Sequence, residues 1–250
     1  MLTNDDICDK MSANAMNDGV FCFLKQLIVL HDISGGIVMG NIISLTYRGK
    51  EKMKFEGLIK DLKEFKQKNI EYTFEQIREV ANKILSEADY YSNRGATPIV
   101  KIAKDFNFKT FKQTLPTKLS GDIYINGDTF EKYGHSRVIL VNKTEQLFHQ
   151  RFVVAHELAH YLFEYLGDPL YNDLNIKFSD TYFRDQHETI QEKRANYFAA
   201  EILMPSKLFI KQYRLAEDLD EGTLFTYMYL SKFFETSVDS IQRRIKEVLS

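Results

Sequence analysis

The sequence of 250 residues predicts an α+β fold that is mainly helical and contains a small antiparallel sheet. Apolar residues recur at helical spacing in segments on both sides of the middle of the chain, which predicts amphipathic helices. Residues 109–142 differ, because they contain short runs of β-branched residues separated by turn residues, the pattern of short strands. The apolar fraction of 44% and the charged fraction of 27% are typical of folded globular proteins.

The same patterns divide the chain into three segments. Residues 1–70 form an N-terminal extension of unknown role, with an amphipathic helix that begins near Met53. Residues 71–205 form the central domain, and residues 206–250 form a C-terminal helical segment that begins after Pro205. We therefore expect one core with helical attachments at both ends.

Helices in the central domain have recognisable boundaries. Thr73 and Gln76 match a capping box, in which each side chain bonds to the other residue's backbone N–H. A second helix is expected with Pro98 at its first position, where the missing N–H costs nothing. Two longer helical patterns cover residues 144–166 and 188–203 and are ended by Gly and Pro residues. These two helices contain the residues from which a function can be inferred.

Charge and cysteine content exclude several classes of protein. The net charge is -2 and the pI about 6.3, so the chain as a whole does not attract phosphate backbones or anionic lipid. Direct nucleic-acid binding and membrane association are therefore not expected. The two cysteines, Cys8 and Cys22, are too few for a disulfide framework, and no signal peptide is visible, so we expect a cytoplasmic protein.

A metal-binding motif lies on the first of the two long helices. The residues His156-Glu157-Leu158-Ala159-His160 match H-E-x-x-H, in which two histidines bind Zn²⁺ and the glutamate is the general base. Four residues advance a helix by roughly 400°, so both imidazoles project from one face and can bind one ion. The alternative is a buried helix with two hydrogen-bonded core histidines.

A catalytic zinc usually has three protein ligands and one open position. Glu192 is the strongest candidate for the third ligand because it shares a helix face with Ala195 and Ala199. A carboxylate on such a buried face is tolerated beside a cation. His187 and Glu188 are competing candidates, although both lie at or before the expected start of the helix.

Other residues of these helices suggest supporting roles. Asn196 lies one turn after Glu192 and could hydrogen-bond a ligand imidazole, or could be an ordinary polar residue at a helix edge. The expected mechanism is Glu157-assisted attack of a zinc-bound water on a carbonyl, with the proton passed to the leaving amine. The donor that stabilises the oxyanion is left open among four residues, Tyr161, Tyr182, His187 and Arg194.

Two linked segments carry a family resemblance. RFVVAHELAHYL at residues 151–162 and EKRANYFAAEILMP at residues 192–205 resemble the signature of the ImmA/IrrE family of metallopeptidases. The resemblance covers roughly residues 70–205. Val153 departs from it, because many relatives have Thr at that position.

The resemblance implies a zincin-like core and a thermolysin-like site. His156, His160 and Glu192 would be the zinc ligands, and Glu157 the catalytic residue. It also implies a cytoplasmic protein of a bacterium or a mobile element, with a helix-turn-helix transcriptional repressor as the protein substrate. Residues 1–70 have no counterpart in the family pattern.

Two further hypotheses belong to other functional classes. The chain could be a metal-containing sensor or binding module that docks to a partner protein or to DNA without proteolysis. It could also hydrolyse a non-peptide amide or ester, because the same chemistry serves any polarised carbonyl. Residues 230–245 weakly resemble a helix-turn-helix, in which Arg243, Arg244 and Lys246 would face phosphates, although a helical pair packed on the core is favoured.

Overall fold

The computed structural model describes residues 55–68, 71–87, 95–116, 119–125, 129–168, 178–183, 189–219 and 222–249, with residues 178–183 described by their backbone. All of these residues belong to one structural unit, Met53–Ser250. Several residues considered above lie outside the described set, namely Cys8, Cys22, His187, Glu188, the side chain of Tyr182 and most of the N-terminal extension.

Most of the secondary-structure elements in the described residues are helices. Their bounds are α1 (Glu56–Gln67), α2 (Phe74–Glu87), α3 (Ile99–Asp105), β1 (Lys109–Gln113), β2 (Leu119–Ile125), α4 (Thr129–Tyr133), β3 (Arg137–Asn142), α5 (Leu147–His160), a π-helical turn (Tyr161–Tyr165), β4 (Phe178–Phe183), α6 (Ile190–Leu203), α7 (Ser206–Glu217), α8 (Thr223–Phe234) and α9 (Val238–Leu249). This arrangement confirms the predicted α+β class. None of the helices in the described ranges is both long and apolar enough to cross a membrane.

The sheet is mixed, so the prediction of a purely antiparallel sheet is wrong in that detail. Its strand order is β1-β3-β2-β4. β2 pairs antiparallel with both β3 and β4, whereas β1 pairs parallel with β3. β1 is half-exposed and contains Lys109 and Lys112. Charged residues are common on edge strands, but they interrupt the β-branched pattern by which a strand is recognised in a sequence.

The predicted helix starts are confirmed at one site and corrected at another. Thr73 N donates to Gln76 Oε1 at 2.9 Å and Gln76 N donates to Thr73 Oγ1 at 3.3 Å, which is the expected capping box. The next helix begins at Ile99, one residue later than expected, because Pro98 has a non-helical ψ of 67°. The Thr97 hydroxyl before it donates to the Ile202 carbonyl oxygen at 2.8 Å, which ties α3 to α6.

A single apolar core joins the helices to the sheet. α5 lies in the middle of this core, and most of its residues are buried. α1 packs into the same core through Leu58 and Leu62, and Phe55 before it stacks on Phe106 with ring centroids 4.6 Å apart. Part of the predicted N-terminal extension therefore contributes to the core that holds α5.

The C-terminal helices are joined to α6 by a buried arginine. Arg244 on α9 is 1% exposed and donates to the Glu201 carboxylate, to the Met204 carbonyl oxygen at 2.9 Å and to Ser206 Oγ at 2.9 Å. The suggestion that Arg244 faces phosphates is therefore wrong. Its charge instead neutralises a buried carboxylate at the end of α6, whereas Arg243 is exposed.

Strand β2 lies directly against α5 at Gly121. A Cβ atom added there would lie 2.2 Å from Val153 Cγ1, 3.1 Å from Glu157 Oε1 and 3.2 Å from the Leu140 carbonyl oxygen. The first distance is far shorter than a van der Waals contact. The missing side chain of Gly121 therefore allows the strand to approach the helix that contains the H-E-x-x-H motif.

We expect Gly121→Ala to destabilise the fold by about 1–3 kcal/mol, the usual cost of adding a methyl group to a packed core. Val153→Ala removes the atom that the new Cβ would meet, so the double variant should lose less stability than the two single variants together. Urea unfolding of the four proteins measures this coupling. Gly57→Ala is a suitable control, because a Cβ at Gly57 meets no atom within 4 Å. Strictly additive effects at residues 121 and 153 would contradict the proposed contact.

We expect Arg244→Leu to cost about 3–5 kcal/mol, because it leaves the Glu201 carboxylate buried without its cation. Adding Glu201→Gln should restore part of that loss, since no buried charge then remains. Lys60→Ala is the matched surface control, because Lys60 and Glu64 are exposed and 3.8 Å apart, and such pairs contribute about 0–1 kcal/mol. Chemical denaturation compares the variants, and a loss at Arg244 no larger than that of the control would show that the buried pair is unimportant.

Candidate metal centre

Two packed helices, α5 and α6, hold the predicted metal-binding residues. They contact each other over much of their length, and small buried residues, including Ala155, Ala159, Ala195 and Ala199, lie on them. Small side chains allow two helix axes to approach closely. This packing brings a carboxylate of α6 to the histidines of α5.

The two histidines and Glu192 converge on one point. His156 Nε2 and His160 Nε2 lie 2.9 Å apart, and Glu192 places Oε2 3.2 Å from the former and Oε1 3.4 Å from the latter. One ligand atom from each of the three residues lies within 4.8 Å of the others. Among the described residues, this group has the donor types and spacing needed to hold a metal ion.

The opposite ring nitrogens each contact a hydrogen-bond acceptor. His156 Nδ1 lies 3.0 Å from Asn196 Oδ1, the contact that the helical spacing suggested. His160 Nδ1 lies 3.1 Å from Glu164 Oε2, on the π-helical turn that follows α5. With hydrogens on both Nδ1 atoms, Nε2 of each ring is the nitrogen that can bind a metal ion beside Glu192.

Both histidines are buried, and the ionisable groups of the site shift one another's pKa values. His156 is fully buried, and burial lowers the pKa of its imidazole although the hydrogen bond to Glu192 opposes that effect. Burial also opposes protonation of His160, but hydrogen bonds to Glu164 and Glu192 outweigh it and raise the pKa of His160 to about 11. Burial would raise the pKa of Glu192, yet its hydrogen bonds to both histidines hold that pKa far below the usual range.

The start of α6 explains how Glu192 becomes available to the histidines. Thr189 and Glu192 match the sequence of a capping box, in which the glutamate would bond back to the helix start. Thr189 Oγ1 does accept a hydrogen bond from Glu192 N at 3.2 Å. The Glu192 carboxylate instead reaches His156 and His160, so this residue combines a helix-start position with a role in the site.

Glu157 lies between the two histidines in the sequence and is 1% exposed. Its carboxylate lies beside the backbone of β2 at Gly121, as the short distance from an added Cβ shows. Its negative charge also helps to raise the pKa of His160, which places the base candidate near that imidazole.

A divalent ion with a preference for nitrogen and oxygen ligands fits this donor set. Two imidazole nitrogens and one carboxylate are an established set for catalytic zinc, with one position left for water. The acceptors on both Nδ1 atoms fix the ring orientations that such an ion requires. The residues present are therefore compatible with the metal that the sequence motif implies.

The residues considered as oxyanion donors are distributed over the fold. The Tyr161 hydroxyl accepts a hydrogen bond from Arg137 at 2.8 Å, and its ring packs on Phe108 in the core. Arg194 pairs with Glu71 at 2.7 Å, at the segment before α2. Tyr182 lies on β4, where its backbone pairs in register with Gly121. The alternatives His187 and Glu188 lie outside the described residues.

Glu164 is the site residue that sequence reasoning missed. A signal was present, because Glu164 lies four residues after His160, one helical turn, within an otherwise apolar run. The long helix pattern predicted across residues 144–166 gave no indication of a π-helical turn. In that turn Leu166 N donates to the Tyr161 carbonyl oxygen at 2.8 Å, a bond that spans five residues.

Two known proteins are similar to parts of this chain in sequence or in structure. Radiation response metalloprotease IrrE from Deinococcus deserti is 41% identical over 71 residues, which cover 28% of this chain and 24% of that protein. A solved structure of a Mycobacterium tuberculosis transcriptional regulator has a TM-score of 0.43 and 17% identity, covering 75% of this chain and 52% of that one. This chain thus spans about a quarter of the first protein and about half of the second.

The sequence profile of the IrrE N-terminal-like domain matches residues 103–246. That range is more than half of the chain and contains α5, the π-helical turn and α6, with the two histidines and the glutamate that converge. The chain therefore belongs to the ImmA/IrrE family of metallopeptidases.

Proposed function

We propose that this chain is a zinc-dependent metallo-endopeptidase that cleaves a peptide bond in a specific protein. The observation that carries the proposal is the convergence of His156, His160 and Glu192 within 4.8 Å. Glu157 lies on the same helix between the two histidines. Family membership supports the assignment, as does the name of the Deinococcus deserti relative, a metalloprotease.

His156, His160 and Glu192 would hold the zinc ion. Such an ion, when bound, lowers the pKa of a coordinated water and polarises the carbonyl of a peptide bond. Nδ1 of each ring faces a protein acceptor, Asn196 or Glu164, so Nε2 is the nitrogen that would bind the ion.

Glu157 is the proposed general base. Its carboxylate would take a proton from the attacking water and transfer it to the nitrogen of the leaving amine. Burial beside the Gly121 backbone holds this carboxylate in place and keeps bulk water away from it. The donor that stabilises the oxyanion is not assigned.

The proposed substrate is a helix-turn-helix transcriptional repressor, and the proposed compartment is the bacterial cytoplasm. Both follow from the family resemblance of residues 151–162 and 192–205. Direct DNA binding by the C-terminal helices is not part of the proposal. One of the three basic residues considered for it, Arg244, is buried against Glu201.

We expect Glu157→Gln to reduce proteolysis by about 100-fold to 10,000-fold, because it removes the general base while leaving the three ligands unchanged. Zinc content of the purified protein should stay equal to that of the wild type. Cleavage can be measured by N-terminal labelling and mass spectrometry of bacterial cells that express either protein. Glu64→Gln, an exposed change on α1, serves as the control.

The same comparison separates the two main hypotheses. New N-termini that depend on Glu157, with a helix-turn-helix repressor among the cleaved proteins, would support regulatory proteolysis. Equal cleavage by the wild type and the Glu157 variant would reject the proposed mechanism. Normal regulation by the variant without any cleavage would instead favour a sensor module that docks to its partner.

We expect Glu192→Ala to lose most of its zinc, because two imidazoles alone leave the ion one protein ligand short. Metal analysis of the purified full-length chain by mass spectrometry gives the occupancy directly. His187→Ala and Glu188→Ala test the competing third ligands and should retain zinc. Full occupancy in Glu192→Ala, with loss in one of the other two variants, would assign the third ligand to that residue.

A further inference from the structure

The two histidines of the site differ in the acceptor that contacts Nδ1 of each ring. His156 Nδ1 contacts the amide oxygen of Asn196 at 3.0 Å, which is a neutral acceptor on the neighbouring helix. His160 Nδ1 contacts Glu164 Oε2 at 3.1 Å, which is a carboxylate on its own helical segment. The carboxylate is the stronger acceptor of the two, because a hydrogen bond to a charged group is stronger than one between neutral groups.

Glu164 is the one charged residue in an otherwise apolar helical turn. Tyr161, Leu162, Phe163 and Tyr165, which surround it in the π-helical turn, are all buried. The Glu164 side chain itself is 21% exposed, and its carboxylate reaches inward to His160. In the described part of the chain, no lysine or arginine forms an ion pair with it, so its charge acts on the imidazole.

The π-helical turn contributes to this placement. It begins at Tyr161, immediately after the second histidine, and widens the helix for one turn. Single π turns of this kind are frequent at functional sites. The ring of Tyr165 stacks beside His160, with centroids 6.4 Å apart and an interplanar angle of 23°. An aromatic ring of the same turn therefore lies beside the imidazole that Glu164 contacts.

We propose that Glu164 is a positioning residue for His160, holding its ring in the tautomer and orientation that present Nε2 to the metal. This inference rests on the proposed zinc centre and extends it. By accepting a hydrogen bond from Nδ1–H, the carboxylate favours the tautomer with its lone pair on Nε2, and its negative charge makes that nitrogen a stronger electron-pair donor to a metal. His160 is then the more strongly held of the two histidine ligands.

The zinc dissociation constant tests the inference without any substrate. Removal of such an outer partner typically weakens metal binding by about 10-fold to 100-fold, which is the loss expected for Glu164→Ala. Glu164→Gln keeps the size of the side chain and an acceptor oxygen but removes the charge, so its loss should be smaller than that of Glu164→Ala. Competition with a chromophoric chelator at one fixed pH measures all the constants.

Glu87→Gln is the matched control, because Glu87 is 35% exposed and lies 3.9 Å from Lys83, far from the histidines in the sequence. It should bind zinc as the wild type does. The absorption spectrum of bound Co²⁺ supplies a second readout, since a change in ligand geometry at His160 shifts its visible bands. Thermal unfolding of the metal-free proteins shows whether each variant is folded. If Glu164→Ala is unfolded, the zinc affinity and the Co²⁺ spectrum of Glu164→Gln decide the question.

The outcomes are distinguishable from a failure of the proposed function. Weaker zinc binding and an altered Co²⁺ spectrum in folded Glu164 variants support the positioning role. Wild-type affinity and spectra in both variants overturn it and leave the zinc centre intact. A wild-type protein that binds neither metal overturns the zinc centre and the role of Glu164 together.

Discussion

Contact between α5 and α6 is the constraint on which the site depends. α5 alone supplies His156 and His160 on one face, but a two-residue site cannot hold a catalytic ion in a fixed geometry. The third group comes from α6, and its carboxylate reaches the imidazoles because buried alanines allow the helices to lie close together. The cost of burying Glu192 is offset by the two histidines that it contacts.

Helix α6 is fixed at both ends by polar contacts. At its start, Thr189 caps the backbone N–H of Glu192, and at its end Arg244 bonds to Glu201 and to the Met204 carbonyl oxygen. The arginine belongs to α9, so the C-terminal helices are anchored to the same helix that supplies the carboxylate to the site. A segment that looked like an attachment in the sequence is therefore part of the structure that positions α6.

Local patterns in the sequence predicted the features that depend on nearby residues. The capping box at Thr73 follows from helical spacing alone, whereas the contact of Asn196 with His156 also requires α6 to pack on α5. The parallel pairing of β1 and the burial of Arg244 depend on partners distant in sequence, which no periodicity reveals. The contact between Glu164 and His160 has helical spacing, but an acid near a helix end is usually solvated, so spacing alone does not predict it.

The wall of the site beside Glu157 consists of main chain, because Gly121 has no side chain and none fits between β2 and α5. Substitutions at this position cannot adjust the shape or polarity of that wall without moving the strand. Any side chain at residue 121 would have to displace Val153, which lies one helical turn before Glu157 on α5. On this side, the surroundings of Glu157 are therefore set by the spacing between strand and helix and not by a side chain that could be exchanged.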